Sequence, residues 1–537
     1  MDTGSIRTIL ITDCGSTTTK ARLFEKLDSW RFTVAGESPT TVEEPSCDVT
    51  IGLRNSFKDL CRKANRDFLD SLCELKPKVD LFLSTSSAGG GLQVVVFGAT
   101  QRFSAKSATE AALLSGAIVL KSYCFDEGLE REEVIRELKE LRPDIIVVSG
   151  GFEGGSIRFP LSICELIAAA DPQPRFQTDL KMPVILAVNS AAISNLMPIL
   201  QDKFLVYTCE NPRPSLDRER LEPLVNLIHE LFIEHVMSQA PGYPKLLEVV
   251  DKPVEPTPLA AGRMVQLWGE KLNTSVLCVD IGGATTDIFT YIPGDIVRRT
   301  VSANYGMSYS IPYVLKDAAE NGLGIVFSPE EKTALYNKML RPTILPVSFS
   351  RLRLEHKLAK AALKLSLQHH LQIISKKGKK WQENESFKPN IVIGSGGVLS
   401  HCPFNEYAAE MLIDGFSLRG IVELFTDKVF LLPHLGLLGA YYPELALEIF
   451  QNDCLNSVGV LVSPEEVILK RFREELAEVV VNNTYSFTLK KGFRYMAKLP
   501  EVIQKIVVKP RFGVFLKSKI FQPQYTMHKI IILDGKV

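Results

Sequence analysis

The chain contains no pair of cysteines at metal-binding spacing. Its ten cysteines (Cys14, Cys47, Cys61, Cys73, Cys124, Cys164, Cys209, Cys278, Cys402 and Cys454) are scattered, with no CxxC pair. That excludes a zinc ribbon and a disulfide framework, and a reducing cytoplasm is the expected location. There is no uninterrupted apolar run of about 18 residues, so no membrane span is expected. The first residues lack the basic start, apolar stretch and small-residue cleavage site of a signal peptide. Net charge is absent too: 62 basic and 62 acidic residues cancel, so no global field points to nucleic acid or membrane as partner. What remains is an ordinary globular composition, 45% hydrophobic and 23% charged over 537 residues, enough for about two to four domains.

Strand-like and helix-like segments alternate through most of the chain. "VDLFLSTSSAGGG", "PDIIVVSGGFEGG", "MPVILAVNS" and "NIVIGSGGVLSH" are apolar strands, three of them running into glycines. Helices fall on "SATEAALLSGAIVLKS", where Ser107 and Glu110 have capping-box spacing, and on "EREEVIRELKEL". Others fall on Leu221 to Val236 and on "RLEHKLAKAALKLSLQHHLQII". The alternation predicts an α/β fold with mostly parallel core strands. The stretch "APGYPKLLEVVDKPVEPTPLAAG" holds five prolines and marks a boundary. The expected domains are 1–265, 266–455 and a C-terminal extension, 456–537. From Ser486 to the end there are 11 basic and 2 acidic residues, 11 − 2 = +9, among short β-like runs. This is expected to be a β-rich appendage, more simply a solvated extension than a docking element.

One short pattern occurs twice. Asp13-Cys14-Gly15-Ser16-Thr17-Thr18-Thr19 lies over Asp280-Ile281-Gly282-Gly283-Ala284-Thr285-Thr286. Each copy follows an apolar strand and precedes another, which predicts a β-hairpin with a glycine turn. Such a turn can gather backbone N–H groups into an anion-binding concavity, with hydroxyls as added donors. An aspartate at the strand end repels phosphate but suits magnesium, directly or through water. Two such hairpins, one per half, are expected to face one another across a cleft and clamp a metal-bound triphosphate. Neither is a Walker A loop or a GxGxxG turn. "IGSGG", with Gly394, Gly396 and Gly397, would let backbone approach a nucleoside closely.

The three motifs, in this order, resemble the actin, heat-shock-chaperone and sugar-kinase superfamily of ATPases. Within it, "ILITDCGSTTTKARLFE", "STSSAGGGLQVVVFGAT", "PDIIVVSGGFEGG", "PVEPTPLAAG", "VDIGGATTDIFTY" and "NYGMSYS" together resemble the glutamate mutase L family, called MutL or GlmL. The resemblance implies two actin-like (ribonuclease H-like) halves around a nucleotide cleft. It implies an ATP-dependent, chaperone-like factor that reactivates an adenosylcobalamin-dependent mutase of the glutamate (methylaspartate) mutase type. ATP and Mg²⁺ would be its cofactors and mutase subunits its partners, without nucleic acid or membrane. By position, Asp13 and Asp280 would hold the metal and serve catalysis. Gly15, Ser16, Thr17 and Thr18 would cradle one phosphate, with Lys20 either facing it or simply lying on the strand. Gly282, Gly283, Thr285 and Thr286 would cradle another phosphate, and Gly394, Gly396 and Gly397 would border the adenosine. Glu153, between glycine pairs, would orient water or sit at a domain contact, the latter slightly favoured.

A sugar kinase needs a carboxylate base beside a substrate hydroxyl, and no such constellation stands out. A small-molecule kinase and a non-catalytic nucleotide-binding scaffold stay open as alternatives. The base-off cobalamin motif Asp-x-His-x-x-Gly is missing; around His434 stand Leu432 and Leu437 instead. No direct cobalamin binding is therefore expected.

Overall fold

The computed structural model describes residues 6–15, 18–41, 46, 48–68, 75–87, 92–115, 117–127, 130–173, 181–231, 241–283, 285–302, 304–308, 310–339, 348–374, 387–468, 474–524 and 527–536. The described residues divide into two compact units, one up to Ala260 and one from Ala261 onwards.

The first unit opens with strands β1 (Thr8–Cys14), β2 (Thr18–Lys26) and β3 (Trp30–Pro39). Ile9, Leu10 and Ile11 are buried in succession, as a strand covered on both faces requires. The helix Val49–Ala64 follows. Asp48 caps it by accepting from the Thr50 amide at 2.8 Å, and Asn65 ends it at φ 51°. Strand β4 (Leu81–Ser86) then lies parallel to β1. Before the sheet is completed, a second sheet intervenes. It contains β5 (Gln93–Gly98), β6 (Ile118–Cys124), β7 (Ile145–Gly150), β8 (Pro183–Val188) and β9 (Leu205–Thr208), all parallel, in the order β6-β5-β7-β8-β9. One face of it, with Val94, Val96, Val147 and Ala187, shares a core with Leu10, Leu23 and Leu53. The other carries Val95, Phe97, Val148 and Leu186 against Ile163, Ile167 and Leu196. Apolar residues on both faces are what a helix-covered parallel sheet needs. The short β10 (Glu255–Pro256) then joins β4 and closes the first sheet as β3-β2-β1-β4-β10.

The second unit repeats that order. Strands β11 (Val276–Ile281), β12 (Thr286–Tyr291), β13 (Arg298–Ser302), β14 (Ile391–Ser395) and β15 (Gly420–Asp427) form β13-β12-β11-β14-β15. As in the first sheet, the hairpin strands are antiparallel and the two after them parallel. The α/β class expected from the alternation is what forms, with one sheet topology used twice.

Two local expectations differ. The helix Lys106–Leu114 is entered through a π-helical turn, Gln101–Ala105, so Ser107 is not its cap. The Ser107 hydroxyl instead donates to Glu219 at 2.6 Å and accepts from Arg213 Nε at 3.2 Å, satisfying a buried guanidinium. The C-terminal segment is β-rich, as expected, but continuous with the sheet of the second unit. Strand β16 (Leu455–Ser463) pairs with β15. After β17 (Glu466–Val467), β18 (Glu475–Val481) and β19 (Tyr485–Lys490), the edge strand β20 (Arg494–Lys498) returns to the same sheet. So does β24 (Ile530–Asp534), beyond β21 (Ile506–Pro510), β22 (Val514–Phe515) and β23 (Ile520–Phe521). The apolar runs of β16 and β24 are covered on both faces and make this fusion favourable. Val460, Val462, Ile531 and Leu533 share one core with Val479 and Val508.

Candidate nucleotide-binding hairpins

In the first hairpin Asp13 stands one residue before the end of β1, directly opposite Lys20 on β2. The carboxylate is only 2% exposed. It accepts from Thr85 Oγ1 at 3.0 Å and from Thr257 Oγ1 at 2.6 Å, while Lys20 Nζ lies 3.4 Å from Oδ2. Thr85 comes from the parallel neighbour β4, in register with Asp13. Thr257 is the first residue of the helix that the proline-rich stretch leads into. Lys20 is thus a strand-face lysine and Asp13's ion-pair partner. The turn is tied at both ends. The Gly15 amide donates to the Thr18 carbonyl at 3.2 Å, and Thr40 Oγ1 donates to the Gly15 carbonyl at 2.7 Å. Thr18 is half-buried at the start of β2. Ser16 and Thr17 lie outside the described residues.

The second hairpin has the same backbone and a different charge. Asp280, half-buried on β11, stands opposite a second acid, Asp287 on β12. Asp287 is 8% exposed, and its Oδ1 has no hydrogen-bond partner. Burial, then the nearby charge of Asp280, push its carboxyl up to about 8, against the pull of Arg299 and a hydrogen bond from Thr285. Burial in turn lowers Arg299 to about 10, with Asp287 opposing. Two carboxylates held together disfavour double ionisation, and the raised Asp287 carboxyl reflects this even with the Arg299 guanidinium nearby.

The turn of this hairpin is also held from outside. Gly282 donates to the Thr285 carbonyl at 2.8 Å. The carbonyls of Gly282 and Gly283 accept from the amides of Met307 and Ser308 at 2.9 and 2.8 Å. Thr286, fully buried, donates to the Tyr305 carbonyl at 2.6 Å. Tyr305, Met307 and Ser308 are therefore the buttress of this turn. Gly396 abuts the same strand end: its φ is 95°, and a Cβ there would come 2.1 Å from the Ile281 carbonyl oxygen. A Cβ at Gly394 would meet the Leu399 side chain at 2.9 Å, whereas Gly397 faces open space. So Gly394 and Gly396 are used for packing, and Gly397 alone of the three leaves room beside it.

Glu153 is engaged at the end of β7: it accepts from Ser190 Oγ at 2.6 Å and from the Ser190 amide at 3.1 Å. His434 is fully buried in the helix Leu432–Gly439. Asp287, Arg299, Thr85 and Thr257 were not singled out from the sequence. Asp287 alone could have been, because the repeat that lays Asp13 over Asp280 also lays Lys20 over it. Among the described residues no helix is long and apolar enough to cross a membrane. Nor do three or more His, Cys, Asp or Glu side chains cluster as a ready-made metal cage.

One strand order used twice, each copy closing on an acid-bearing hairpin, defines an α/β protein built from two like halves. A family model described as MutL protein matches residues 9–454, and the chain belongs to that family. Protein MutL of Clostridium tetanomorphum is 24% identical over 485 residues, covering 82% of this chain and 98% of that protein. Among solved structures, a diol dehydratase-reactivating factor in nucleotide-free form aligns at 10% identity and TM-score 0.35, over 82% of this chain and 100% of its own. A glycerol dehydratase reactivase aligns at 11% identity and TM-score 0.32, over 81% and 99%. Gluconate kinase from Lactobacillus acidophilus aligns at 11% and 0.32, over 86% and 94%.

Proposed function

We propose that this chain is a Mg²⁺-dependent ATPase that reactivates an adenosylcobalamin-dependent mutase of the glutamate mutase type, promoting exchange of damaged cofactor. The observation that carries the reading is the duplicated sheet with its duplicated acid-bearing hairpin, in a chain of the MutL family. The halves proposed for this are 1–265 and 266–455, with 456–537 as an extension.

The residues divide the work unequally. The orphaned, buried Oδ1 of Asp287 beside Asp280 fits a hard cation, which prefers oxygen ligands and keeps several waters. Asp13 already has a cation in Lys20, so it fits a metal only through water or after Lys20 turns away. Bound magnesium would supply neutralisation of phosphate charge. The protein supplies the rest. Gly15, Thr18, Gly282, Gly283 and Thr285, with Ser16 and Thr17, would present donors to phosphate. Lys20 is the cation that stands opposite Asp13, and Gly397 would admit the nucleoside.

The test is ATP turnover by the purified chain with and without Mg²⁺. Asp13→Ala and Asp280→Ala should each lower it by about a hundredfold or more, as removal of transition-state electrostatics does. A chain that neither binds nor hydrolyses ATP would end the ATPase reading. The client is tested by adding the chain and ATP to a glutamate mutase inactivated by damaged cobalamin; recovery with ATP, and not without it, is expected.

A further inference from the structure

The parallel sheet inserted in the first unit is not used by either hairpin. Its order, β6-β5-β7-β8-β9, means that the chain leaves β5 to one side for β6 and then crosses to the other side for β7. Connections diverge at the carboxyl ends of β5 and β7, and open parallel sheets bind ligands in the crevice this creates.

The residues at that point are built for contact. Strand β7 runs into "SGGFEGG". Ser149, its penultimate residue, is 0% exposed, and its hydroxyl has no hydrogen-bond partner. Gly150, Gly151 and Gly154 take φ of 145°, 74° and 73°, and Gly154 has open space where a Cβ would be. The loop is fixed: Asn211 Nδ2 donates to the Gly151 carbonyl at 2.7 Å and Asn189 Nδ2 to that of Gly155 at 2.9 Å. Around it stand Phe125, just after β6, at 49% exposure and Phe152 at 41%. Arg102, in the turn after β5, and Arg158, after the glycine loop, are exposed. Two carboxylates beside it are occupied. Asp126 accepts from the Gln101 amide at 3.1 Å, and Glu153 accepts from Ser190.

Aromatic faces take flat rings, guanidiniums take phosphate, and glycine-rich backbone allows close approach. We propose that the carboxyl end of this sheet, between β5 and β7, is a second ligand site, for a phosphorylated planar heterocycle of the mononucleotide kind. It is independent of the hairpins and of the ATPase reading.

The test uses the full chain, with FMN and AMP as probes, followed by fluorescence and equilibrium dialysis. Saturable binding of at least one probe is expected. It should survive Asp280→Ala and weaken by about tenfold in Phe152→Ala and in the exposed, fold-neutral Arg158→Glu, while Phe152→Tyr retains it. Absence of saturable binding of both probes at millimolar concentration would overturn the proposal. So would binding that Asp280→Ala abolishes, or binding that neither Phe152→Ala nor Arg158→Glu weakens.

Discussion

Opposite Asp13 the first hairpin places Lys20; opposite Asp280 the second places Asp287. The turns close alike, glycine amide to threonine carbonyl, and both lie at the end of a strand flanked by one antiparallel and one parallel neighbour. Backbone has been kept and charge has not. The first hairpin is internally neutral, its acid satisfied by two hydroxyls and an ammonium. The second collects two carboxylates, and burial penalises the charge of Asp287. The two copies thus differ in charge at one cross-strand position, with the Arg299 guanidinium opposing the acids of the second.

The sharpest way to probe this difference is the position that follows each parallel neighbour. Ser86 pairs in register with Cys14, and its counterpart Gly396, one residue beyond β14, abuts Ile281. The first half accommodates a side chain there, and Ser86 Oγ donates to the Cys14 carbonyl at 3.3 Å. The second half does not, because a Cβ on Gly396 would come 2.1 Å from backbone oxygen at φ 95°. Gly396→Ala should therefore destabilise the second unit by about 4 kcal/mol, through strain and forced displacement of the hairpin. Gly397→Ala, with open space around it, should stay within about 1 kcal/mol. Urea unfolding of both variants measures this, and equal losses would remove Gly396 as a buttress.

The next effect concerns the two aspartates. Asp13→Ala leaves a buried hole where the carboxylate accepted from Thr85 and Thr257 and should lower stability by about 3 kcal/mol. Asp280→Ala removes a charge that helps push the Asp287 carboxyl up, so the second unit should hold its stability to within about 1 kcal/mol. Both variants would lose turnover, and only one would lose stability. Matching losses in urea transitions would show that the hairpins are equivalent after all.

The hairpins were legible because everything that makes them is local: an apolar run, a glycine turn, a second run. Their duplication was legible for the same reason. Their surroundings were not. Thr85 and Thr257 reach Asp13 from 72 and 244 residues away, and no periodicity announces such a meeting. Asp287 was visible in "TTDIFTY", but its significance needs the register that sets it against Asp280. The order β6-β5-β7-β8-β9 was hidden because five apolar parallel strands look alike in sequence. The Ser107 cap failed because a buried arginine, Arg213, competes for that hydroxyl. The C-terminal segment looked separate by charge, yet β20 and β24 enter the second sheet through the apolar faces they share with it.

The smallest expected effect is on pH dependence. The folded-state carboxyl of Asp287 is raised to about 8, whereas an unfolded aspartate titrates near about 4. Between those values the folded chain holds a proton that the unfolded chain has released, so this group makes stability fall as pH rises through the window. Asp287→Asn is neutral at every pH and removes that fall. In metal-free buffer the variant's melting midpoint should match wild type near about pH 5 and exceed it by about 2–4 °C near about pH 8. Magnesium added near about pH 8 should raise the wild-type midpoint, since a cation takes the place of the proton, and should leave Asp287→Asn almost unmoved. A variant that responds to magnesium as wild type does would take Asp287 out of the cation site, and the contrast between the hairpins would then be one of packing alone.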